Sequence, residues 1–201
     1  MNLFFQMQGL LDKTKQVDFL APLLLRIFLA PILIMAGWGK LNALEDTAAW
    51  FGNPDWGLGL PAPFFLALMA GLTEFVGGIA ILIGLATRWF ALPLMFTMVV
   101  AAGTAHWENG WHVLPEKTLT APWEWRMDKI DEAATRRDKA REILKEHSNY
   151  DYITEHGSVT ILKNGIEFAA TYFLMLLVLF FYGGGRYASL DYWIKQRVNP
   201  E

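Results

Sequence analysis

Four runs of apolar residues dominate the chain: Phe19–Trp38, Pro63–Leu85, Arg88–Ala105 and Thr160–Tyr182. At 1.5 Å per residue each predicts a helix of roughly 27–35 Å, enough to cross a bilayer core. Pro22, Pro31 and Pro93 lie inside these runs and are tolerated in membrane helices. A soluble four-helix bundle would need a polar stripe on every helix, and residues 89–105 carry no charge. The expected fold is therefore all-α, a four-transmembrane-helix bundle. Its parts are an N-terminal segment (1–18), three spans (19–105), a long outer loop (106–159), a fourth span (160–182) and a tail (183–201).

The long loop has a pattern of its own. Pro115 and Pro122 bracket an irregular start, and Trp123–His147 then reads as an amphipathic helix, with Met127, Ile130, Ala134, Ile143 and Leu144 at helical spacing. Glu132/Arg136, Asp138/Arg141 and Glu142/Lys145 are spaced as ion pairs along it. Such a helix serves as a lid or docking element, as a solvated cap on the bundle, or as a contact to lipid headgroups. The N-terminal segment lacks a cleavage site of the signal-peptide kind, and LFFQMQGLL is suited to lie on the membrane surface.

Composition sharpens this picture. The 201 residues are 54% apolar, and 19 of the 37 Asp, Glu, Lys and Arg residues fall within 107–158. A net charge of −3 gives no reason to expect a nucleic-acid partner. The absence of cysteine excludes thiol redox chemistry, thiolate-held clusters and disulfides. Lys13, Lys15, Arg88, Arg186, Lys195 and Arg197 fall on one side of the predicted spans, which places both termini in the cytoplasm and loops 39–62 and 106–159 outside. Trp38, Trp50, Trp56, Trp107, Trp111, Trp123 and Trp125 lie at or beyond the outer ends, Trp89 and Trp193 at the inner ends, as an aromatic belt requires.

Ionisable groups inside hydrocarbon are costly, so those present mark candidate sites. Arg26, Glu74, Asn164 and Glu167 lie at membrane depth, and Lys163 is near enough to the outer surface to snorkel. Ala67, Ala70, Gly71, Glu74, Gly77 and Gly78 share one helix side, as do Arg26, Ala30 and Gly37, so both charges are expected to face inward. Their depths predict an Arg26–Glu74 ion pair. Glu167 is left to protonation or to pairing with His106 or Lys163, and a carboxyl beside a histidine suits a proton relay. His106, Glu108 and His112 offer a metal-ligand set without diagnostic spacing. His112, His147 and His156 read as surface residues. Met95 and Met98 read as packing residues rather than thioether ligands. No P-loop, GxGxxG, HExxH or GxSxG motif is present, and Gly183–Gly185 reads as a helix stop.

The runs LLLRIFLAPILIMAGWGKL, TEFVGGIAILIGLATRWFALPL and GGGRYASLD resemble the DoxX family of small four-helix bacterial membrane proteins. The likeness is most specific at Arg26, Gly37–Lys40, Glu74–Gly78, Gly84, Thr87–Arg88 and Gly185–Asp191. WFGNPDWGLGLP, HWENGW and ILKNGIEFAATYF, together with the charged loop, resemble the HvfX branch. The resemblance implies a bundle in the bacterial inner membrane, with Arg26, Glu74 and His106 at the family's polar positions. It implies an accessory role in the maturation or handling of a copper-binding ribosomally made peptide or of a periplasmic metal, with that peptide or its biosynthetic proteins as partners. Other relatives imply a quinone-interacting subunit of a thiosulfate–quinone oxidoreductase-like complex. A non-catalytic lipid-binding or scaffold protein is the third reading. Quinone and copper are the cofactors these readings would bring, and the lipid bilayer is common to all.

Overall fold

The structure, a computed structural model, describes residues 2–115 and 123–198. All regular structure among them is helical. In chain order the helices are α1 (Asn2–Lys13), α2 (Leu20–Asn42), α3 (Leu44–Gly52), α4 (Pro63–Ile83), α5 (Thr87–Ala101), α6 (Met127–His147), α7 (Tyr150–Thr154), α8 (Glu167–Tyr182) and α9 (Leu190–Val198). A π-helical turn, Ala102–His106, continues α5. Two compact units are present, one of residues 1–97 with 172–201, the other of residues 98–171.

Among the described residues three helices are long and apolar enough to cross a membrane: Leu20–Asn42, Pro63–Ile83 and Thr87–Asn109. Their large apolar side chains point outward. Leu24, Phe28, Met35, Phe65 and Phe96 are all more than half exposed. The inward positions combine small residues and a few polar ones with the fully buried Leu29, Leu33, Ile81 and Leu94. Large apolar side chains over the outer surface are expected where lipid replaces water.

In the first unit α2 and α4 run antiparallel at close range. A Cβ on Gly37 would lie 2.3 Å from the Phe75 backbone nitrogen, and one on Gly78 would lie 2.9 Å from that of Ile34. These contacts exclude any side chain at Gly37. Ala67, Gly71, Glu74, Gly77 and Gly78 are buried along the same stripe of α4, as the small-residue pattern predicts.

Segment 39–62 departs from the expected loop. Helix α2 runs on to Asn42, and α3 packs Ala48 and Phe51 against Ala67 of α4, with Leu44, Leu58, Leu60 and Leu66 around them. Asn53 turns the chain by accepting from the N–H of Asp55 (2.8 Å) and of Trp56 (3.2 Å). Leu58 and Leu60 then donate back to the carbonyls of Trp50 and Phe51. WFGNPDWGLGLP is thus a hydrogen-bonded cap.

The fourth expected span also changes. Only Glu167–Tyr182 is helical, 16 residues or about 24 Å. Residues 158–166 form no regular helix. Asn164 has a left-handed backbone at φ 63°. The N–H groups of Lys163 and Asn164 donate to Val113 O, that of Gly165 to His112 O, that of Ile166 to Gly110 O and that of Glu167 to Trp111 O. Non-helical backbone of this kind persists where protein satisfies its polar groups. The helix expected over Trp123–His147 is found over Met127–His147, with Ile130, Ala133 and Ala134 buried. Met127 and Ile143 are exposed instead. Arg136–Glu132 and Arg141–Asp138 form, joined by Lys129–Glu132. Pro122 lies outside the described residues.

Candidate functional site

Each unit holds a buried polar cluster. In the first unit it forms where α4 ends, α5 begins and the segment after α8 folds back. Helix ends leave carbonyls without intrahelical partners, and Arg26 supplies the donors. It is 1% exposed. Its Nε donates to Ile81 O (2.8 Å), Nη2 to Leu82 O (2.7 Å), and Nη1 to Gly184 O (2.6 Å) and Ala188 O (3.0 Å). Gly84, at φ 69°, closes α4 here, and a Cβ on it would lie 2.8 Å from the guanidinium carbon. Asp191 caps α5, its two oxygens accepting from Ala86 N–H (2.6 Å) and Thr87 N–H (2.9 Å). A carboxylate at that position also complements the helix dipole.

Glu74 is buried as expected, but its partner is Lys40, whose Nζ donates to Oε2 at 2.6 Å. The expected Arg26–Glu74 ion pair does not form. In the antiparallel register, Gly37 faces Phe75 and Leu41 faces Gly71. This sets Glu74 against the last turns of α2, whereas Arg26 meets the C-terminal turn of α4. Both side chains turn inward, at different heights. With four of its N–H groups on backbone carbonyls, Arg26 acts as a clamp between chain segments.

The second unit carries a cluster that sequence reasoning missed. Its centre is Glu124, with no exposed side-chain area. Its Oε1 accepts from the N–H of Trp111 (3.2 Å) and of Arg126 (2.8 Å). Its Oε2 accepts from the N–H of His112 (3.0 Å), from His112 Nδ1 (2.9 Å) and from Lys163 Nζ. Burial pushes the Glu124 carboxyl up, but the hydrogen bonds from Lys163, His112 and Arg126 together outweigh it and hold it well below the usual carboxylate range. Two glycines make room. A Cβ on Gly110 (φ 78°) would collide with Glu124 Oε1 and Lys163 Nζ, and one on Gly165 with the carbonyls of Gly110, Trp111 and His112.

Several expectations are corrected by this geometry. Lys163 does not snorkel; its side chain is 1% exposed and bound to Glu124. His112 is not a surface residue but is buried against the same carboxylate. Glu167 meets neither His106 nor Lys163, and its Oε2 accepts from Val113 N–H at 3.0 Å. Asn164 is exposed at the turn, with its carbonyl 3.0 Å from His106 Nδ1. The ligand set His106, Glu108 and His112 does not gather. Glu108 is exposed and pairs with Arg126, and among the described residues no three His, Asp or Glu side chains are placed to hold a metal ion. His106, Glu108 and His112 therefore do not form one metal site. Outside the cluster, Arg126 also pairs with Asp128 (2.7 Å), whose carboxyl is pulled down to about 2 chiefly by that hydrogen bond.

The signal for Glu124 was available in part. It stands between two tryptophans in WEW, and Gly110 and Gly165 each follow an asparagine, a pairing that favours left-handed turns. Nothing in helical periodicity joins three segments this far apart in sequence.

Comparison with known proteins bears on the first unit. Residues 21–107 match the family model described as DoxX. The chain is similar to "Putative oxidoreductase CatD" of Bacillus subtilis (strain 168), 33% identical over 79 residues, which is 39% of this chain and 54% of that protein. It is similar also to "Inner membrane protein YqjF" of Escherichia coli (strain K12), 36% identical over 88 residues, 43% of this chain and 63% of that protein. The chain spans less than two thirds of the length of either relative. No solved structure matches it.

Proposed function

We propose that this membrane protein is a non-catalytic accessory protein of the inner membrane, and that its second unit is the docking module for a partner. The observation that carries this reading is the Glu124–Lys163–His112 cluster, which fastens two segments of the nominal loop to the start of the expected fourth span in one hydrogen-bonded unit. Around it stand exposed tryptophans. Trp107 and Trp125 stack at 4.9 Å, Trp123 meets Trp111 edge-on at 5.4 Å, and Trp107 and Trp123 are more than half exposed. Rigid aromatic anchors on a preformed scaffold are the usual source of binding energy at protein interfaces.

The partner implied by the HvfX resemblance is a copper-binding peptide or the proteins that mature it. HWENGW and LKNG, two of the segments that carry the resemblance, are the ones the cluster joins. Copper would then arrive on the partner, since the chain's own ligands do not gather. With both termini in the cytoplasm, this unit faces the periplasm.

A photo-crosslinking residue in place of Trp123, in cells that make the peptide and its maturation proteins, tests this. We expect a specific crosslinked species, lost when Gly110→Ala disrupts the cluster. Crosslinking no different from that of a probe at lipid-facing Phe96 would contradict it.

The name of the Bacillus relative speaks of an oxidoreductase, which favours a second reading, a redox subunit, and the DoxX resemblance adds quinone as what it would bind. Quinone co-extracted with the purified protein and lost on Glu74→Gln would establish that reading instead.

A further inference from the structure

In the first unit, a cleft of about 480 Å³ opens between the start of α5, the glycine segment after α8 and α9. Three bases line it, Arg88, Arg186 and Lys195, together with one acid, Asp191. Both oxygens of Asp191 are already occupied by the N–H groups of Ala86 and Thr87. Of the three bases, Arg186 is ion-paired with Asp18, while Arg88 and Lys195 have no acidic partner among the described residues. Arg88 gives only Nε, to Phe180 O at 2.8 Å, with its guanidinium 5.6 Å over the Phe180 ring. Among the described residues Arg186 gives only Nη2, to Asp18 Oδ1 (2.5 Å) and Lys15 O (3.2 Å), with its guanidinium 5.8 Å over the Tyr187 ring. Lys195 donates to no described residue. The cleft therefore holds an excess of positive charge, with guanidinium and ammonium donors to spare.

Two further lining residues fix its level. Trp89 and Tyr182, each 77% exposed, stand at the start of α5 and the end of α8, where those apolar helices meet the membrane surface. Amphipathic aromatics take up that level beside headgroups. Left-handed Gly183 (φ 71°) and Gly185 (φ 84°) keep the wall free of side chains between them.

We propose that this cleft binds a phosphate group, and that its source is the headgroup of an anionic phospholipid such as phosphatidylglycerol. Guanidinium forks match phosphate oxygens, and the flanking aromatics hold the glycerol and upper acyl region. This site is separate from the docking module, and neither proposal depends on the other.

Native mass spectrometry of the full-length protein in neutral detergent, titrated with phosphatidylglycerol or phosphatidylcholine, tests it. We expect retention of phosphatidylglycerol over phosphatidylcholine, weakened roughly tenfold or more by Arg88→Gln with Lys195→Gln. Lys195→Gln alone removes no described contact, so a partial loss there is free of folding effects. Arg197→Gln, outside the cleft, is expected to leave binding unchanged. Equal retention of the two lipids, an unaffected double variant, or the same loss from Arg197→Gln would overturn the proposal. Inorganic phosphate, titrated in parallel, separates the sources. Binding of phosphate without any lipid preference would overturn the lipid as source while leaving phosphate as the recognised group.

Discussion

Arg26→Met is expected to prevent the protein from accumulating in folded form, or to lower its thermal unfolding midpoint sharply in detergent. The guanidinium satisfies four backbone carbonyls at once. Hydrogen bonds to a charged donor contribute about 1.5–3 kcal/mol each, and an acceptor left buried and unpaired bears its full desolvation cost. The contributions are not additive, yet a loss above about 4 kcal/mol follows, a large part of a typical stability of about 5–15 kcal/mol. Removing a buried charge is sometimes neutral when its partners leave with it. Here the partners are main-chain carbonyls and cannot leave. Arg26→Lys is expected to recover only part of the loss, because an ammonium lacks the planar fork that reaches two chain segments. Wild-type melting in Arg26→Met would show that the clamp is not structural.

Lys163→Met is expected to unfold the second unit at a cost of roughly 3–5 kcal/mol, because it leaves the Glu124 carboxylate buried without its cation. Adding Glu124→Gln should restore a substantial share. A neutral amide oxygen still accepts from the backbone and no longer needs a counter-charge. Limited proteolysis between residues 98 and 171, compared across the two single variants and the double, reads this. A double variant no better than Lys163→Met would show that the pair is not coupled.

Acidity probes the same cluster. The folded-state pKa of Glu124 is depressed, so its contribution is fully present above the ordinary carboxylate range and is lost as pH falls through that range toward the depressed value. Stability of the second unit should therefore be flat near neutrality and decline only in acid, with the decline reduced in Glu124→Gln. A decline of equal size in wild type and Glu124→Gln would contradict that assignment.

The long apolar helices were legible because length and lack of charge suffice to mark them. The inward stripe of α4 was legible because Gly71, Gly77 and Gly78 admit a close neighbour and Leu and Phe do not. The partner of Glu74 was not. Depth arithmetic on separate helices took α2 to end at Trp38, whereas it continues to Asn42. The register fixed by Gly37 against Phe75 then brings Lys40, not Arg26, to the carboxylate. The fourth span was overread because residues 160–166 are apolar enough to join a helix. The backbone of Lys163–Glu167 instead pairs with residues 110–113, and Glu124 draws the Lys163 side chain down. Such long-range preferences leave no periodicity in the chain, so Glu124 stood out only as an acid between two tryptophans.

The described residues of 106–171 form a folded module and not a solvated loop. Hydrogen exchange of the amides of Lys163, Gly165, Ile166 and Glu167 in the full-length protein tests that most directly. Slow exchange at neutral pH, accelerated many-fold by Lys163→Met, is the predicted result. Exchange at the rate of an unstructured peptide, unchanged by that substitution, would contradict it.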